Sequence, residues 1–313
     1  MSLERILVLG GSGFVGRHVV ARLVSWGQRV VVPTRSRERA RHLFLLPTVE
    51  VVEADVRDPV TLERLAAGAS AVVNLVGILH ETRPGDFDRV HVELARKTVA
   101  ACQAAGVRRL LHMSALNARP EGPSRYLATK GQAEEIVAAA NLEWTIFRPS
   151  IIFGREDAFL NLFARLERVL PVMALACAGA RFQPVWVGDV AEALALALAD
   201  DRSSGERYAL CGPRIYTLRE LVAYTGEVTG YRRLIVPLGP ALARMQAWVL
   251  ERLPGKLITR DNLKSMTVDS VCGCPYPELL GGPPTALEAV VPAYLAPASA
   301  RSRYARFRVQ GGR

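Results

Sequence analysis

The fold of this chain is decided near its start by the stretch RILVLGGSGFVG, residues 5–16. Its apolar run, without polar alternation, predicts a strand buried on both faces. The glycines predict a tight turn at Gly10, close approach of a ligand to the backbone at Gly13, and close helix–strand packing at Gly16. Free N–H groups at the start of the following helix attract phosphate oxygens. We therefore expect the pyrophosphate of a dinucleotide to be held by Gly10, Ser12, Gly13, Phe14, Val15 and Gly16.

Outward from this loop, the first half of the chain alternates short apolar runs with helical stretches. Predicted strands cover residues 6–9, 29–34, 49–54, 71–76, 109–114 and 144–147. Predicted helices cover residues 14–26, 36–44, 59–67, 87–105 and 125–140. Repeated strand–helix–strand units form a doubly wound parallel sheet through right-handed crossovers. We predict the α/β class, with a Rossmann-type domain over residues 1–150.

Beyond residue 150 the alternation loosens, and proline and glycine become frequent. Helices are predicted at residues 158–169, 189–199, 218–229 and 240–253. We expect residues 151–295 to form a smaller, mostly helical cap that closes a cleft, followed by a basic tail at residues 296–313. Helix 240–253 carries Leu242, Met245, Val249 and Leu253 at helical spacing. Such a stripe favours packing into the core, with an interfacial membrane helix as the alternative.

The end of the second strand predicts which dinucleotide binds. An acidic residue at this point is typical of NAD enzymes, whereas an arginine accommodates the extra phosphate of NADP. Here the strand ends in Thr34 and Arg35, and no acid follows before Arg37. A guanidinium suits a phosphate because it can donate two parallel hydrogen bonds. We expect NADP(H) in preference to NAD(H), with Arg35 as the main contact and Arg37 as a substitute for it.

Three residues have the spacing needed for hydride chemistry at a carbonyl. Tyr126 and Lys130 lie four positions apart near the start of a predicted helix, so they share a face. Ser114 ends the fifth predicted strand, at the sheet edge where ligands of such folds bind. We expect Tyr126 to exchange the hydroxyl proton and Ser114 to hydrogen-bond the substrate oxygen. Lys130 would bond the nicotinamide ribose, and its charge together with that of an oxidised nicotinamide would lower the pKa of Tyr126 towards the working range.

The spacing of the first glycines resembles the extended and atypical branches of the short-chain dehydrogenase/reductase superfamily. That resemblance implies further contacts with the dinucleotide. An acidic pair member beside the adenine would be Asp55 with Val56, and the fourth strand would pass the ribose and nicotinamide at Leu75, Val76 and Gly77. The stretch from Arg148 to Gly154 resembles one that lies next to the nicotinamide. The residues it would contribute are Pro149, Ile151 and Ile152.

To about residue 295 the chain resembles one branch in particular, the relatives of the nucleotide-binding accessory subunit of respiratory complex I. The stretches that carry the resemblance are HMSAL at 112–116, YLATK at 126–130, FGRED at 153–157, QPVWVGDVA at 183–191 and PTALE at 284–288. It implies bound NADPH and leaves catalysis open. Many relatives place an asparagine that supports a proton-relay water where this chain has His91, and a histidine can also hold a water.

The sequence is therefore compatible with two different functions. The first is an NADP(H)-dependent oxidoreductase or epimerase/reductase acting on an unknown carbonyl or hydroxyl substrate, linked through the resemblance to quinone metabolism. The second is a non-catalytic, nucleotide-bound accessory or scaffold protein. The intact Ser114, Tyr126 and Lys130 favour the enzyme.

The composition of the chain limits the classes of molecule that it is expected to bind. The net charge is +10, but the arginines are spread along the chain without interleaved aromatic residues, which argues against nucleic acid. The tail after residue 300 is basic and free of acids, and it could contact anionic lipid or an acidic partner. Five scattered cysteines predict reduced thiols, and the pair Cys272 and Cys274 lacks further metal ligands nearby. We expect no metal and a cytoplasmic protein, with contact at the inner face of the membrane through the tail.

Overall fold

A seven-stranded parallel sheet forms the centre of the protein. The structure is a computed structural model that describes residues 4–252 and 258–297, so the basic tail beyond residue 297 lies outside the described residues. The strands of the sheet are β1 Arg5–Leu9, β2 Arg29–Thr34, β3 Val49–Glu53, β4 Ala71–Asn74, β5 Arg109–Met113, β6 Glu143–Pro149 and β11 Glu206–Leu210. They stand in the order β11-β6-β5-β4-β1-β2-β3. The predicted α/β class is confirmed.

The sheet is covered on both faces because successive side chains of a strand point to opposite sides. Ile6 and Val8 of β1 pack in one apolar layer, and Leu7 and Leu9 pack in the other. The helices that supply these layers are α1 Phe14–Ser25, α2 Pro59–Ala66, α3 Leu94–Ala104, α4 Arg125–Ala138 and α6 Val187–Ala199. α1 packs beside α6, and α3 packs beside both α2 and α4. The helix that the glycine loop opens therefore belongs to a different layer from α4.

Two predicted helices take other forms. Residues Arg37–Leu43, after β2, form a 3₁₀ helix. A π-helical segment, Asp88–Glu93, leads directly into α3. π-helical turns inside helices are often found at functional sites.

The chain beyond residue 150 both completes the sheet and builds a smaller layer on it. β11 pairs in parallel with β6 along its whole length, so the seventh strand comes from a region predicted to be mostly helical. The short strands are β7 Ile152–Phe153, β8 Val172–Leu175, β9 Arg181–Phe182, β10 Val185–Trp186, β12 Tyr216–Thr217 and β13 Leu234–Pro237. The remaining helices are α5 Phe159–Val169, α7 Leu218–Thr229, α8 Pro240–Leu250, α9 Arg260–Ser265, α10 Leu287–Val290 and α11 Pro292–Leu295. None of the helices in the described part is long and apolar enough to cross a membrane.

The expectation that all five cysteines are reduced is wrong for two of them. Cys211 and Cys272, which are 61 positions apart in sequence, form a disulfide, with Cα atoms 6.1 Å apart. Gln183 holds the two segments together: its amide nitrogen donates to the Gly212 carbonyl, and its amide oxygen accepts from the Cys272 N–H. Cys102, Cys177 and Cys274 are free thiols.

The prediction that the apolar stripe of residues 240–253 packs into the core is also wrong. The buried residues of α8 are Ala243 and Ala247, which pack on Leu263 of α9. The stripe lies on the opposite side and is exposed at Leu242, Met245 and Val249. Leu253 lies outside the described residues.

One buried arginine ties β5 to the region beyond residue 150. Arg109 is 7% exposed and donates to the Glu143 carbonyl of β6 and to the Ala197 carbonyl of α6. It also donates to the hydroxyls of Thr145 and Ser203. These contacts join the neighbouring strand, α6 and the turn before β11.

We predict that Arg109→Met lowers the free energy of unfolding by about 3 kcal/mol, because it leaves several buried acceptors without a donor. Arg108→Met is the matched control, since Arg108 is 81% exposed in its ion pair with Glu143. It should cost no more than about 1 kcal/mol, because water and salt screen exposed pairs. Urea denaturation of both variants measures the difference. Equal losses would contradict the structural role of Arg109.

Candidate functional site

The glycine loop has the backbone that its sequence predicts. Gly10 follows β1 with a φ of +79°, a conformation that favours glycine. A Cβ on Gly10 would lie 3.2 Å from backbone atoms of Leu75 and Val76. The Leu75 N–H donates to the Leu9 carbonyl, which continues the pairing of β4 with β1 past the end of the strands. Leu75 and Val76 therefore lie directly against the loop.

Helix α1 begins so close to the loop that its first turn needs glycine. A Cβ on Gly16 would lie 2.2 Å from the Gly10 carbonyl oxygen and 2.6 Å from the Gly11 Cα. Gly13 is the N-cap and places no side chain on the first turn, which holds no acidic residue. The N–H groups there and the positive end of the helix dipole are thus left for an anion. These features suit the pyrophosphate of a dinucleotide.

Arginines dominate the ends of β2 and β3. Arg35 and Arg37 are exposed just after β2, and Arg37 lies 5.6 Å from the centre of the Phe44 ring. The carboxylate of Asp55 is held by Arg57, whose hydrogen bonds lower the pKa of Asp55 to about 2, with a smaller contribution from Arg35. Val56 packs against the core. A phosphate beside Arg35 would meet a cation, and the charge of the Asp55 carboxylate is already paired.

Lys130 lies between the carboxyl ends of β4 and β5. Its ammonium donates to the Met113 carbonyl at 2.9 Å, and a Cβ on Gly77 would lie 3.1 Å from the same nitrogen. Burial lowers the pKa of Lys130 to about 8. Ser114, the residue after Met113, is buried, and its hydroxyl has no hydrogen-bond partner among the described residues. An unpartnered buried hydroxyl is unusual and suits a ligand oxygen.

Tyr126 stands one helical turn before Lys130, among aromatic rings. Its ring centre is 5.7 Å from that of His91 and 6.1 Å from that of Phe87. Burial raises the pKa of Tyr126 to about 12. We expected Lys130 to lower this pKa, but in the structure the pKa is raised. The free-energy cost of burying a charged phenolate outweighs the attraction of the lysine charge. At neutral pH the hydroxyl carries its proton.

The start of α4, which carries Tyr126, is held by residues far away in sequence. Ser124 caps the helix by accepting from the Leu127 N–H. The carboxylate of Asp261, on α9, accepts from the N–H groups of Arg125 and Tyr126 at 2.8 and 3.1 Å. A negative charge at a helix N-terminus is stabilising. Sequence reasoning missed Asp261 because it lies 135 positions from Tyr126 and belongs to no recognisable motif.

His91 has both ring nitrogens occupied. Nε2 accepts from the Ile78 N–H at 3.2 Å. Nδ1 lies 2.9 Å from the Thr129 hydroxyl, which itself donates to the Arg125 carbonyl, so Nδ1 must be the donor. Burial is the main reason that the pKa of His91 falls to about 2. The suggestion that His91 holds a relay water is therefore wrong: it ties the loop after β4 to α4 instead.

The stretch that begins at Arg148 lies along the carboxyl edge of β6. The Pro149 carbonyl accepts from the Leu116 N–H, and the Ile151 carbonyl accepts from the Val185 N–H. Ile152 begins β7. A Cβ on Gly154 would lie 3.2 Å from the Phe14 ring, so the end of this stretch packs against the glycine loop. Arg148 points elsewhere, to an ion pair with Glu134 of α4.

Comparison with a protein-family model bears on this site. The model is described as NAD(P)H-binding and matches residues 10–158. These residues include the glycine loop, the ends of β2 to β6, and Ser114, Tyr126 and Lys130.

Two curated proteins are similar to this chain, the first over most of its length and the second over about half of it. The mitochondrial NADH dehydrogenase (ubiquinone) 1 alpha subcomplex subunit 9 of Mus musculus is 35% identical over 298 residues, which are 90% of this chain and 77% of that protein. Ceramide reductase of Caulobacter vibrioides is 37% identical over 172 residues, or 54% of each chain.

The fold also matches solved structures. One is DesIV, the dTDP-glucose 4,6-dehydratase of Streptomyces venezuelae, which superposes with a TM-score of 0.66 at 24% identity. The match covers 74% of this chain and 84% of that one. At this identity it supports the fold alone.

The two buried histidines of the site should make stability sensitive to acid. The pKa of His112, which is bonded to Asn74, falls to about 3 through burial, and that of His91 falls to about 2. The unfolded chain takes up a proton at each histidine near pH 6.5, whereas the folded protein does not. We therefore predict that each histidine lowers the free energy of unfolding by about 1.4 kcal/mol between about pH 7.5 and 5.5.

The measurement is denaturant unfolding at both pH values. On acidification, His91→Asn should lose about 1.4 kcal/mol less unfolding free energy than the wild type, whatever the effect of the substitution on stability at neutral pH. A variant that loses as much stability on acidification as the wild type would contradict a neutral, buried His91.

Proposed function

This chain belongs to the NAD(P)H-binding family of the mitochondrial NADH dehydrogenase (ubiquinone) 1 alpha subcomplex subunit 9, and from that premise we propose that it is an NADP(H)-dependent reductase of a carbonyl compound. Tyr126 acts as proton donor, Ser114 orients the substrate oxygen, and Lys130 binds the nicotinamide ribose. The dinucleotide lies along the residues expected from the sequence, from Gly10 in the loop to Ile152 in β7.

The observation that carries this proposal is the buried hydroxyl of Ser114, which has no hydrogen-bond partner within the described part of the chain and follows the Met113 carbonyl that accepts from Lys130. Both lie at the carboxyl edge of the sheet, where open α/β folds bind their ligands. A scaffold that holds a nucleotide only as a spacer has no need of a buried hydroxyl without a partner. A substrate oxygen would supply that partner, and the hydrogen bond would strengthen as charge develops on the oxygen.

The state of Tyr126 favours reduction as the direction of reaction. When bound, NADPH supplies the hydride to the carbonyl carbon. With a pKa of about 12, Tyr126 keeps its proton at neutral pH and can give it to the oxygen that becomes a hydroxyl. The phenolate left behind is then protonated by solvent, since the pKa of Tyr126 lies well above neutral pH. Phe87 and His91 hold the ring between them.

The preference for NADP(H) rests on Arg35. It is exposed at the end of β2, and neither of its neighbours in sequence is an acid that would repel a phosphate. Asp55, a carboxylate that it influences, already has Arg57 as its partner. The ribose phosphate of NADP would thus find an arginine in position to bind it.

The similarity to a ceramide reductase favours a reductase for this chain too, acting on an apolar carbonyl compound. The similarity to an NADH dehydrogenase subunit favours the second candidate, a nucleotide-bound accessory protein without turnover. The two candidates differ in their need for the Tyr126 hydroxyl. In a strain that lacks the protein and shows a growth defect, full rescue by Tyr126→Phe together with failure of Gly13→Asp would establish the scaffold.

We predict that Arg35→Asp weakens NADPH binding at least tenfold, equal to about 1.4 kcal/mol, and leaves NADH binding unchanged or tighter. Arg39→Asp makes the same change of charge at an exposed position four residues further on, and it serves as the control. Isothermal titration with both nucleotides measures the effect. A wild type that binds NADH as tightly as NADPH would contradict the role of Arg35.

We also predict that Tyr126→Phe lowers the rate of NADPH oxidation at least a hundredfold without changing NADPH affinity, because it removes only the proton donor. Menadione and a long-chain β-keto ester are suitable probes, and loss of NADPH absorbance is the readout. Tyr231→Phe, which removes a hydroxyl from an exposed tyrosine, is the control. An active Tyr126→Phe variant would refute the reductase mechanism.

A further inference from the structure

Helix α8 presents an apolar face to solvent. Most of its large apolar side chains, which would usually be buried, are exposed, and two of its alanines are buried. Its inner side is formed by Ala243 and Ala247 against α9. Its outer side carries four large apolar side chains between 45% and 59% exposed, which are Leu242, Met245, Trp248 and Val249. Contiguous apolar surface of this kind marks an interaction site.

The β8–β13 ribbon extends this surface. The two strands are parallel, with Leu234 opposite Val172 and Val236 opposite Ala174, and all four residues are exposed. The alternate residues Met173, Leu175 and Ile235 are buried beneath them. The Gln246 side chain donates to the Ala174 carbonyl at 2.8 Å, which fixes α8 against β8. We call the outer residues of α8 and of the ribbon together the apolar face.

Charge around the apolar face has one sign. Residues 168–175 and 231–250 contain no aspartate or glutamate, and they contain Arg168, Arg232, Arg233 and Arg244. Of the flanking carboxylates, Glu251 pairs with Arg260, and Glu227 pairs with Arg232 and cancels the charge of that arginine. Burial raises the pKa of Glu167 to about 8, so Arg168, Arg233 and Arg244 provide the net positive charge beside the face. At the end of α8, Arg252 lies 3.7 Å from the centre of the Trp248 ring. Apolar side chains surrounded by arginines, with a tryptophan at the boundary, match the interface of an anionic bilayer.

A second copy of the chain fits this surface less well. In a two-fold dimer the same patch meets itself, so the arginines of both copies would face each other. No acid within residues 168–175 or 231–250 could offset that repulsion. Lipid phosphates would supply the missing negative charge, and acyl chains would take up the apolar side chains.

We propose that the apolar face docks this protein on anionic phospholipid membranes, with α8 lying along the bilayer surface. The arginines contact lipid phosphates, while Leu242, Met245, Trp248 and Val249 enter the boundary between headgroups and acyl chains. This docking goes beyond the reductase proposal and does not depend on it.

The docked face lies close to the candidate site. α8 packs on α9 through Ala243, Ala247 and Leu263. α9 in turn bonds the N-terminus of α4 through Asp261, and Asn262 donates to the carbonyl of the exposed Leu79 in the loop after β4. Helix α9 therefore links the apolar face to α4, the helix that carries Tyr126.

The experiment uses the full chain and vesicles of phosphatidylcholine with about one third phosphatidylserine. We expect the wild type to sediment with these vesicles and to bind pure phosphatidylcholine at least tenfold more weakly, because arginines beside the face add electrostatic attraction. The double variant Met245→Glu/Trp248→Glu should bind the anionic vesicles at least tenfold more weakly than the wild type. Val60→Glu places a charge at a 74% exposed position on α2 and should bind like the wild type.

Two further measurements test whether the apolar face itself enters the bilayer. Lipids brominated on their acyl chains should quench the fluorescence of the wild type, and Trp248→Phe should abolish most of that quenching. Unchanged NADPH affinity and thermal midpoint in each variant would show that the fold is intact. The proposal is overturned if the wild type does not bind vesicles or if the double variant binds equally well. It is also overturned if these substitutions dissociate a dimer and leave vesicle binding unaffected.

Discussion

The close approach of α1 to the turn after β1 is the constraint on which the rest of the site depends. Gly16 can lie against the Gly10 carbonyl only because it has no side chain. That approach directs the positive end of the helix dipole across the carboxyl edge of the sheet. It also leaves the backbone of Leu75 and Val76 against the loop and sets Phe14 against Gly154. One steric condition thus brings the loop, the end of β4 and the stretch after β6 into a single groove.

Helix α4 joins this groove to the region beyond residue 150. One end is capped by Ser124 and by Asp261 from α9, and further along Glu134 pairs with Arg148 of β6. Between these points, Thr129 is bonded to His91 and Lys130 to the Met113 carbonyl. The positions of Tyr126 and Lys130 are therefore set by contacts on several elements. Contacts from several elements hold side chains in a fixed position, and a catalytic site needs this to orient its reacting groups.

The apolar periodicity of α8 was visible in the sequence, but the sequence did not show whether the apolar side of the helix is buried or exposed. A stripe of Leu242, Met245 and Val249 is equally compatible with a core and with an exposed interface, because helical spacing says only that the residues share a side. What decided the outcome is that Ala243 and Ala247, the small residues, allow the closer packing on α9. A similar limit applied to His91, since the sequence could not tell that both of its nitrogens are occupied.

The sequence by itself determined the parallel sheet, the glycine loop and the position of Tyr126 one helical turn before Lys130, because strand period, glycine geometry and helical spacing are local properties. The tertiary structure alone decided the features that join distant segments. These are the seventh strand at β11, the Cys211–Cys272 disulfide, the cap supplied by Asp261 and the outward turn of the α8 stripe. The raised pKa of the half-buried Tyr126 belongs with them. Each depends on which surfaces meet when the chain packs, and no short stretch of sequence carries that information.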